Sequence, residues 1–241
     1  MVYFKLYSVI ALAIAVSAVG VNAAAIGKRA SCSAINDQFS PNSDIGQNWG
    51  GQLPAGSYAL GGDGLEMRVL NPSPKKVGDG PTFISNSLIQ YGYVEARIKS
   101  APVNGLVTSF IFRAPNGDEI DWEWVANEAQ TSYYYHGIDD YTTEGSTVVP
   151  DDSSNFHTYA INWQPDSITW YIDGVAQRTV TKESTNQNGV YHYPTAAANV
   201  ELGLWDSSFD KSTAAWAHGP VDWSKQPAYV SAYVQYVKVT C

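Results

Sequence analysis

The sequence predicts an all-β chain, a sandwich or barrel. Short runs rich in β-branched and aromatic residues recur between clusters of Gly, Pro, Asn and Asp. Helical periodicity is scarce over the same stretch. One of the runs is split by Asp173-Gly174, the dipeptide of a two-residue hairpin. Of 241 residues, 15% are charged and 13% aromatic, which excludes a disordered chain. With 23 Asp+Glu against 14 Lys+Arg the formal charge is −9, so the charge balance gives no reason to bind nucleic acid or an anionic membrane surface. Eight Trp and sixteen Tyr supply rings for a core and for stacking on sugar. An uncharged polymer would not mind the negative charge.

In chain order, Met1 to Ala25 reads as a secretory leader. Lys5 gives the positive start, Val9 to Val21 the apolar run, and Ala23-Ala24-Ala25 the small residues for cleavage. The run is shorter than the ~20 residues that a spanning helix requires. Lys28-Arg29 resembles a dibasic processing site, so 26–29 is expected to be a short pro-segment and 30–241 a single domain. Cys32 and Cys241 stand at its two ends, and in a secreted chain an even count predicts a bridge. Tyr91 to Lys99 alternates as a strand, with Val94, Ala96 and Ile98 on one face and Tyr93, Glu95 and Arg97 on the other. Leu106 to Arg113 is nearly all apolar and suits a strand covered on both sides. His157 to Trp163 alternates again, Ser167 to Val180 holds the hairpin, and Ser231 to Cys241 closes the chain as a strand. The intervening loops are expected at 71–81, 138–156, 182–196 and 206–228, the last two long enough to carry function. No phosphate-binding glycine pattern is present. The four His, at 136, 157, 192 and 218, show no metal-ligand spacing, so no cofactor or metal is expected. The C-terminus has no apolar tail, and no membrane anchor is expected.

Asn116 to Val125 carries the chemistry. On a strand Glu119, Asp121 and Glu123 point to one face, and Ile120, Trp122 and Trp124 to the other. A row of like charges on what reads as a central strand needs a reason. A solvated edge or a calcium site is one; glycoside cleavage by two carboxyl groups is the other. The Glu119 and Glu123 Cα atoms would lie about 13 Å apart at ~3.3 Å per residue. Two Glu side chains leaning together close that to the ~5–5.5 Å of retaining glycosidases. Crowding raises one carboxyl pKa and keeps a proton available near neutral pH, while Asp121 between them orients the nucleophile.

Glu119-Ile-Asp-Trp-Glu123 resembles the E-[IL]-D-x-E signature of glycoside hydrolase family 16. Tyr91 to Arg97, His157 to Pro165, Trp170 to Gly174 and Glu201 to Trp205 are similar to further segments of that family. The resemblance implies a concanavalin-like β-jelly-roll sandwich of two antiparallel sheets with the substrate cleft on the concave face. It implies Glu119 as nucleophile, Asp121 as its helper and Glu123 as acid/base, with Glu95, Arg97, Tyr134 and Trp205 lining the donor side. Ser132 stands where related enzymes carry Asn. His136 would share the face of Tyr134 and touch sugar or pack. Trp216-Ala-His-Gly-Pro-Val-Asp-Trp223 is similar to the W-A-G-G-x-I-D-W segment of the fungal Crh-type cell-wall transglycosylases, which join chitin chains to β-glucans. Trp216 and Trp223 are then candidates for an acceptor platform. A secreted or cell-wall enzyme follows, cleaving a β-1,4-linked, chitin-like donor and transferring it to a β-glucan or chitin acceptor through a covalent glycosyl-enzyme. An endo-β-1,3(4)-glucanase is the alternative within the same chemistry. A non-catalytic carbohydrate-binding jelly roll is the alternative outside it, but such a module has no need of three alternating acids. Relatives contain a structural calcium, for which the sequence offers no recognisable site.

Overall fold

A computed structural model describes residues 32–72, 77–138 and 140–241. The leader and pro-segment expected over 1–29 lie outside them. The strands are β1 (Ile35–Gln38), β2 (Trp49–Gln52), β3 (Tyr58–Gly61), β4 (Gly64–Leu70), β5 (Thr82–Ile89), β6 (Gly92–Lys99), β7 (Leu106–Arg113), β8 (Glu119–Val125) and β9 (Glu128–Tyr134). They continue as β10 (Gly145–Val148), β11 (His157–Trp163), β12 (Ser167–Ile172), β13 (Val175–Thr181), β14 (Asn186–Gln187), β15 (Val190–Tyr191), β16 (Ala198–Asp206) and β17 (Tyr229–Thr240). Among the described residues the α-helices are two short ones, α1 (Ile45–Asn48) and α2 (Lys211–Trp216).

The strands form two large antiparallel sheets and one small hairpin. The first sheet runs β13-β12-β11-β6-β17-β4-β3, with β1 also pairing β17. The second runs β10-β9-β8-β7-β16-β5-β2. Non-consecutive neighbours such as β6 beside β17 and β7 beside β16 give the crossed connections of a jelly-roll sandwich.

Period-two alternation places the core between the sheets. From β6, Val94, Ala96 and Ile98 enter it; from β8, Ile120, Trp122 and Trp124 do. Buried indole N–H groups need acceptors, and two of them tie the sheets together. Trp122 Nε1 donates to the carbonyl of Ala160 on β11 at 3.1 Å, and Trp170 Nε1 on β12 donates to the carbonyl of Asp121 at 2.9 Å. Together these bonds fix the roll of β8 about its axis. Strand β7 is buried on both faces up to its last residue, Arg113.

The Asp173-Gly174 turn joins β12 to β13 with φ of 48° and 78°, the left-handed pair that a tight hairpin requires. The expected loops hold more structure than the sequence suggests. Segment 138–156 contains β10, segment 182–196 the β14–β15 hairpin, and segment 206–228 contains α2.

Cys32 and Cys241 form a disulfide with Cα atoms 5.6 Å apart across 209 residues of sequence. It adjoins the β1–β17 ladder, where Ile35 faces Val239. A cross-link closing so long a loop removes much unfolded-chain entropy. The Cys32→Ser/Cys241→Ser double variant is therefore expected to lose about 4–5 kcal/mol of unfolding free energy on the chain-entropy model, read by denaturant titration.

Candidate active site

The site is built on the outer face of the second sheet, in three rungs set by register. Arg113, Glu119 and Tyr134 make the first, across β7, β8 and β9. Ile111, Asp121 and Ser132 make the second, and Ser109, Glu123 and Gln130 the third. On the other side of β7, β16 adds Asn199, Glu201, Gly203 and Trp205 to the same face. Gly203 keeps the floor low, because a Cβ there would lie 2.5 Å from Ser109 Oγ. The three acids thus project side by side, as the alternation requires.

Their environments differ. Asp121 is buried, and burial together with the charges of Glu119 and Glu123 pushes it well above the usual carboxylate range. Ser132 Oγ donates to Asp121 Oδ2 at 2.8 Å, so the residue standing in place of Asn orients the middle acid. Burial, and next Glu119, push Glu123 up to about 8, with Glu144 adding to the rise against the pull of Arg113. Glu119 instead accepts a charge-assisted hydrogen bond at 2.7 Å from the Arg113 guanidinium, whose Nε lies 3.5 Å from Glu201. One glutamate is paired with a cation and the other has its pKa raised, an asymmetry that would suit a nucleophile and an acid.

Beside the acids is a groove of about 390 Å³, lined by Glu123, Gln130, Thr131, Ser132, Tyr134, Tyr141, Glu144, Ser212, Thr213 and Trp216. It lies on the Glu123 side, and one wall comes from the 206–228 segment. Asp210 caps α2 by accepting from the backbone N–H groups of Ser212 and Thr213 at 2.9 and 3.0 Å. The helix carries Trp216 to the groove, where its Nε1 donates to Gln130 Oε1 at 2.8 Å. Trp216 stacks on Trp205 with centroids 6.1 Å apart and planes at 18°. Val107, Val125 and Ala217 support this pair from below as a small apolar cluster separate from the main core.

Of the residues singled out from sequence, Glu119, Asp121, Glu123, Tyr134, Trp205 and Trp216 meet on this face. Four do not. Glu95 and Arg97 lie on β6, in the other sheet, opposite the core-facing Val94, Ala96 and Ile98. They therefore project from the far side of the sandwich, and their expected place in the cleft is corrected. Trp223 is in the main core, its Nε1 donating to Asp206 Oδ2 at 2.7 Å, so it is no acceptor platform. His136 lies past the end of β9 at φ 53°, where the strand's alternation has ceased. Its ring stacks on Tyr135 at 3.9 Å rather than sharing the face of Tyr134.

Arg113, Gln130, Glu144 and Glu201 join the site without having been singled out. An arginine ending an otherwise apolar strand was a visible signal for Arg113. Glu144 had none, since a loop brings it to the groove. Asp118, just before the acids, is buried, and burial alone would raise it. The backbone amides of Thr195, Ala196 and His136 outweigh that and hold it below the usual carboxylate range, pinning two loops to the start of β8. Among the described residues no group of three or more His, Cys, Asp or Glu is arranged to hold a metal ion. No described helix is long and apolar enough to cross a membrane.

The model of the glycosyl hydrolases family 16 matches residues 58–225. Congo red hypersensitive protein 2 of Saccharomyces cerevisiae is 35% identical over 73% of this chain and 40% of its own length. Crh-like protein 2 of Aspergillus fumigatus is 38% identical over 67% of this chain and 40% of its own. The chain thus spans well under half the length of these curated relatives. Among solved structures, the Crh5 transglycosylase, known free and in complex with NAG, superposes with a TM-score of 0.76 at 30% identity, covering 87% of this chain; in the free form 85% of that chain is covered. A Bacillus licheniformis beta-glucanase superposes with a TM-score of 0.71 at 23% identity over 86% of this chain and 98% of its own, a likeness of fold.

Proposed function

The chain belongs to the glycosyl hydrolases of family 16, and from that premise we propose that it is a secreted, retaining transglycosylase of cell-wall polysaccharide. Glu119 attacks the anomeric carbon of a β-linked donor while Glu123 gives its proton to the departing oxygen. Glu123 then takes the proton of an incoming sugar hydroxyl, which attacks the anomeric carbon, and the bonding pair returns to Glu119. Asp121, buried between them and pushed well above the usual carboxylate range, interacts with Glu119 and steadies it. The donor is a chitin-like β-1,4-linked chain and the acceptor β-glucan or chitin. This pairing follows from likeness to the Crh-type relatives and to the Crh5 enzyme, whose structure has been determined with NAG.

The observation that carries transfer over hydrolysis is the groove on the Glu123 side, walled by Trp216 and bordered by the 138–156 and 206–228 segments. The leaving group departs on that side and the acceptor enters there. A ring stacked on an aromatic wall holds its hydroxyl near the anomeric carbon and displaces water. The test is a transfer assay with fluorescently labelled chito- and laminari-oligosaccharide acceptors against chitin and β-glucan donors. Labelled products longer than the acceptor are expected; release of short sugars alone would leave an endo-β-1,3(4)-glucanase. Binding without any turnover would leave the non-catalytic jelly roll.

The acid dictates the pH dependence. Donor cleavage needs Glu123 protonated, and its pKa is raised, so activity persists through neutrality. The rate is expected to fall as pH rises through about 8, one decade per unit beyond, in kcat/KM against pH. An alkaline limb near pH 5 would contradict this.

A further inference from the structure

We propose that Arg113 is a positioning residue that sets the lifetime of the glycosyl-enzyme through its hold on Glu119, with Glu201 as its counterweight. The inference rests on the retaining reading above. Arg113 ends β7 directly opposite Glu119, and its guanidinium donates to Glu119 Oε1 at 2.7 Å while its Nε stands 3.5 Å from Glu201 Oε2. The Arg113 side chain is half exposed, whereas those of the two glutamates are 16% and 12% exposed. Open to water, such a pair is screened; a sugar seated over it removes the water and strengthens it.

The consequence differs between the two chemical steps. When Glu119 bonds to the anomeric carbon its carboxylate becomes a neutral ester, and the charged hydrogen bond from Arg113 is lost. When an acceptor hydroxyl attacks, the bond to Glu119 breaks, the electron pair returns to Glu119, and the charged hydrogen bond forms again. Arg113 therefore stabilises the free carboxylate at the expense of the covalent state and hastens the second step. Glu201 draws on the same guanidinium and moderates that pull. Balance between the two sets how long the glycosyl-enzyme waits for a sugar.

The experiment follows adduct decay by intact-protein mass spectrometry. The donors are 2,4-dinitrophenyl β-glycosides of chitobiose and of laminaribiose, whose leaving group needs no proton. Wild type, Arg113→Gln, Arg113→Lys and Glu201→Gln are loaded, freed of donor and timed. A hydrogen bond to a charged group is worth ~1.5–3 kcal/mol, so the Arg113→Gln adduct is expected to last about 10-fold longer or more. Arg113→Lys falls between it and wild type, and the Glu201→Gln adduct decays faster than wild type. A merely structural role would not move the two variants in opposite directions. Lifetimes that match wild type in both variants, or shift the same way, overturn the inference and leave the retaining reading standing. Absence of any adduct with either donor, in wild type and in Glu123→Gln alike, overturns both.

Discussion

Glu119→Gln is expected to lower turnover on polysaccharide by about three orders of magnitude or more, because on the proposed mechanism it replaces the attacking carboxylate with a far less nucleophilic amide. Glu123→Gln should lose as much on the same donor, for a different reason. The two losses separate when the leaving group is changed. A 2,4-dinitrophenyl glycoside departs without a proton, so Glu123→Gln should still form its covalent adduct and then stall, lacking the base. Glu119→Gln should form none with any leaving group. Both side chains lie on the outer face of the second sheet, and neither enters the sheet–sheet core. The variants should therefore keep the far-UV spectrum, and relief of like-charge crowding around Asp121 should hold or raise the melting temperature. Wild-type turnover in either variant would remove the site from the strand assigned to it.

That strand was legible because its information is local. Glu119, Asp121 and Glu123 alternate with Ile120, Trp122 and Trp124, and a period of two needs no knowledge of the rest of the chain. The same alternation in β6 correctly separated Glu95 and Arg97 from Val94, Ala96 and Ile98. It could not say which sheet β6 would join. Pairing β6 with β11 and β17 instead of β8 is a long-range choice, and it puts the polar face of β6 on the far side of the molecule. Segment 206–228 makes a similar point. Trp216 and Trp223 are indistinguishable as indoles on one loop. What separates them is an acceptor: Asp206 takes the Trp223 N–H in the core, and Gln130 takes that of Trp216 in the groove. The expected face for His136 fails because a single left-handed residue ends the alternation, and the enrichment of histidine at positive φ is too weak a warning to place that end. Arg113 ends an apolar run and Glu201 opens a segment similar to the family's, yet both lie on the face that carries the acids. Only the register of β7 with β8 and β16 brings them to Glu119.

Trp216→Ala is expected to shift the partition of the glycosyl-enzyme from sugar toward water by about 10-fold or more, with donor cleavage little changed. The proposed first step uses Glu119 and Glu123, whereas the indole is held by Gln130 and Trp205. The second step is a competition between acceptor and water for one anomeric carbon. Water at its bulk concentration wins unless the acceptor is held, and an aromatic face holds a sugar by stacking at small entropic cost. Trp216 is rigid enough for that, clamped between Trp205 and the side-chain amide oxygen of Gln130. Trp216→Phe keeps a face but loses the hydrogen bond, so it should recover part of the transfer. The measurement is the ratio of lengthened to hydrolysed product over a range of acceptor concentrations. In Trp216→Ala the acceptor concentration for half-maximal transfer should rise about 10-fold, while the rate of donor consumption without acceptor stays near wild type. If donor consumption collapses with transfer, the indole supports the fold of the wall, and the acceptor is held elsewhere in the groove.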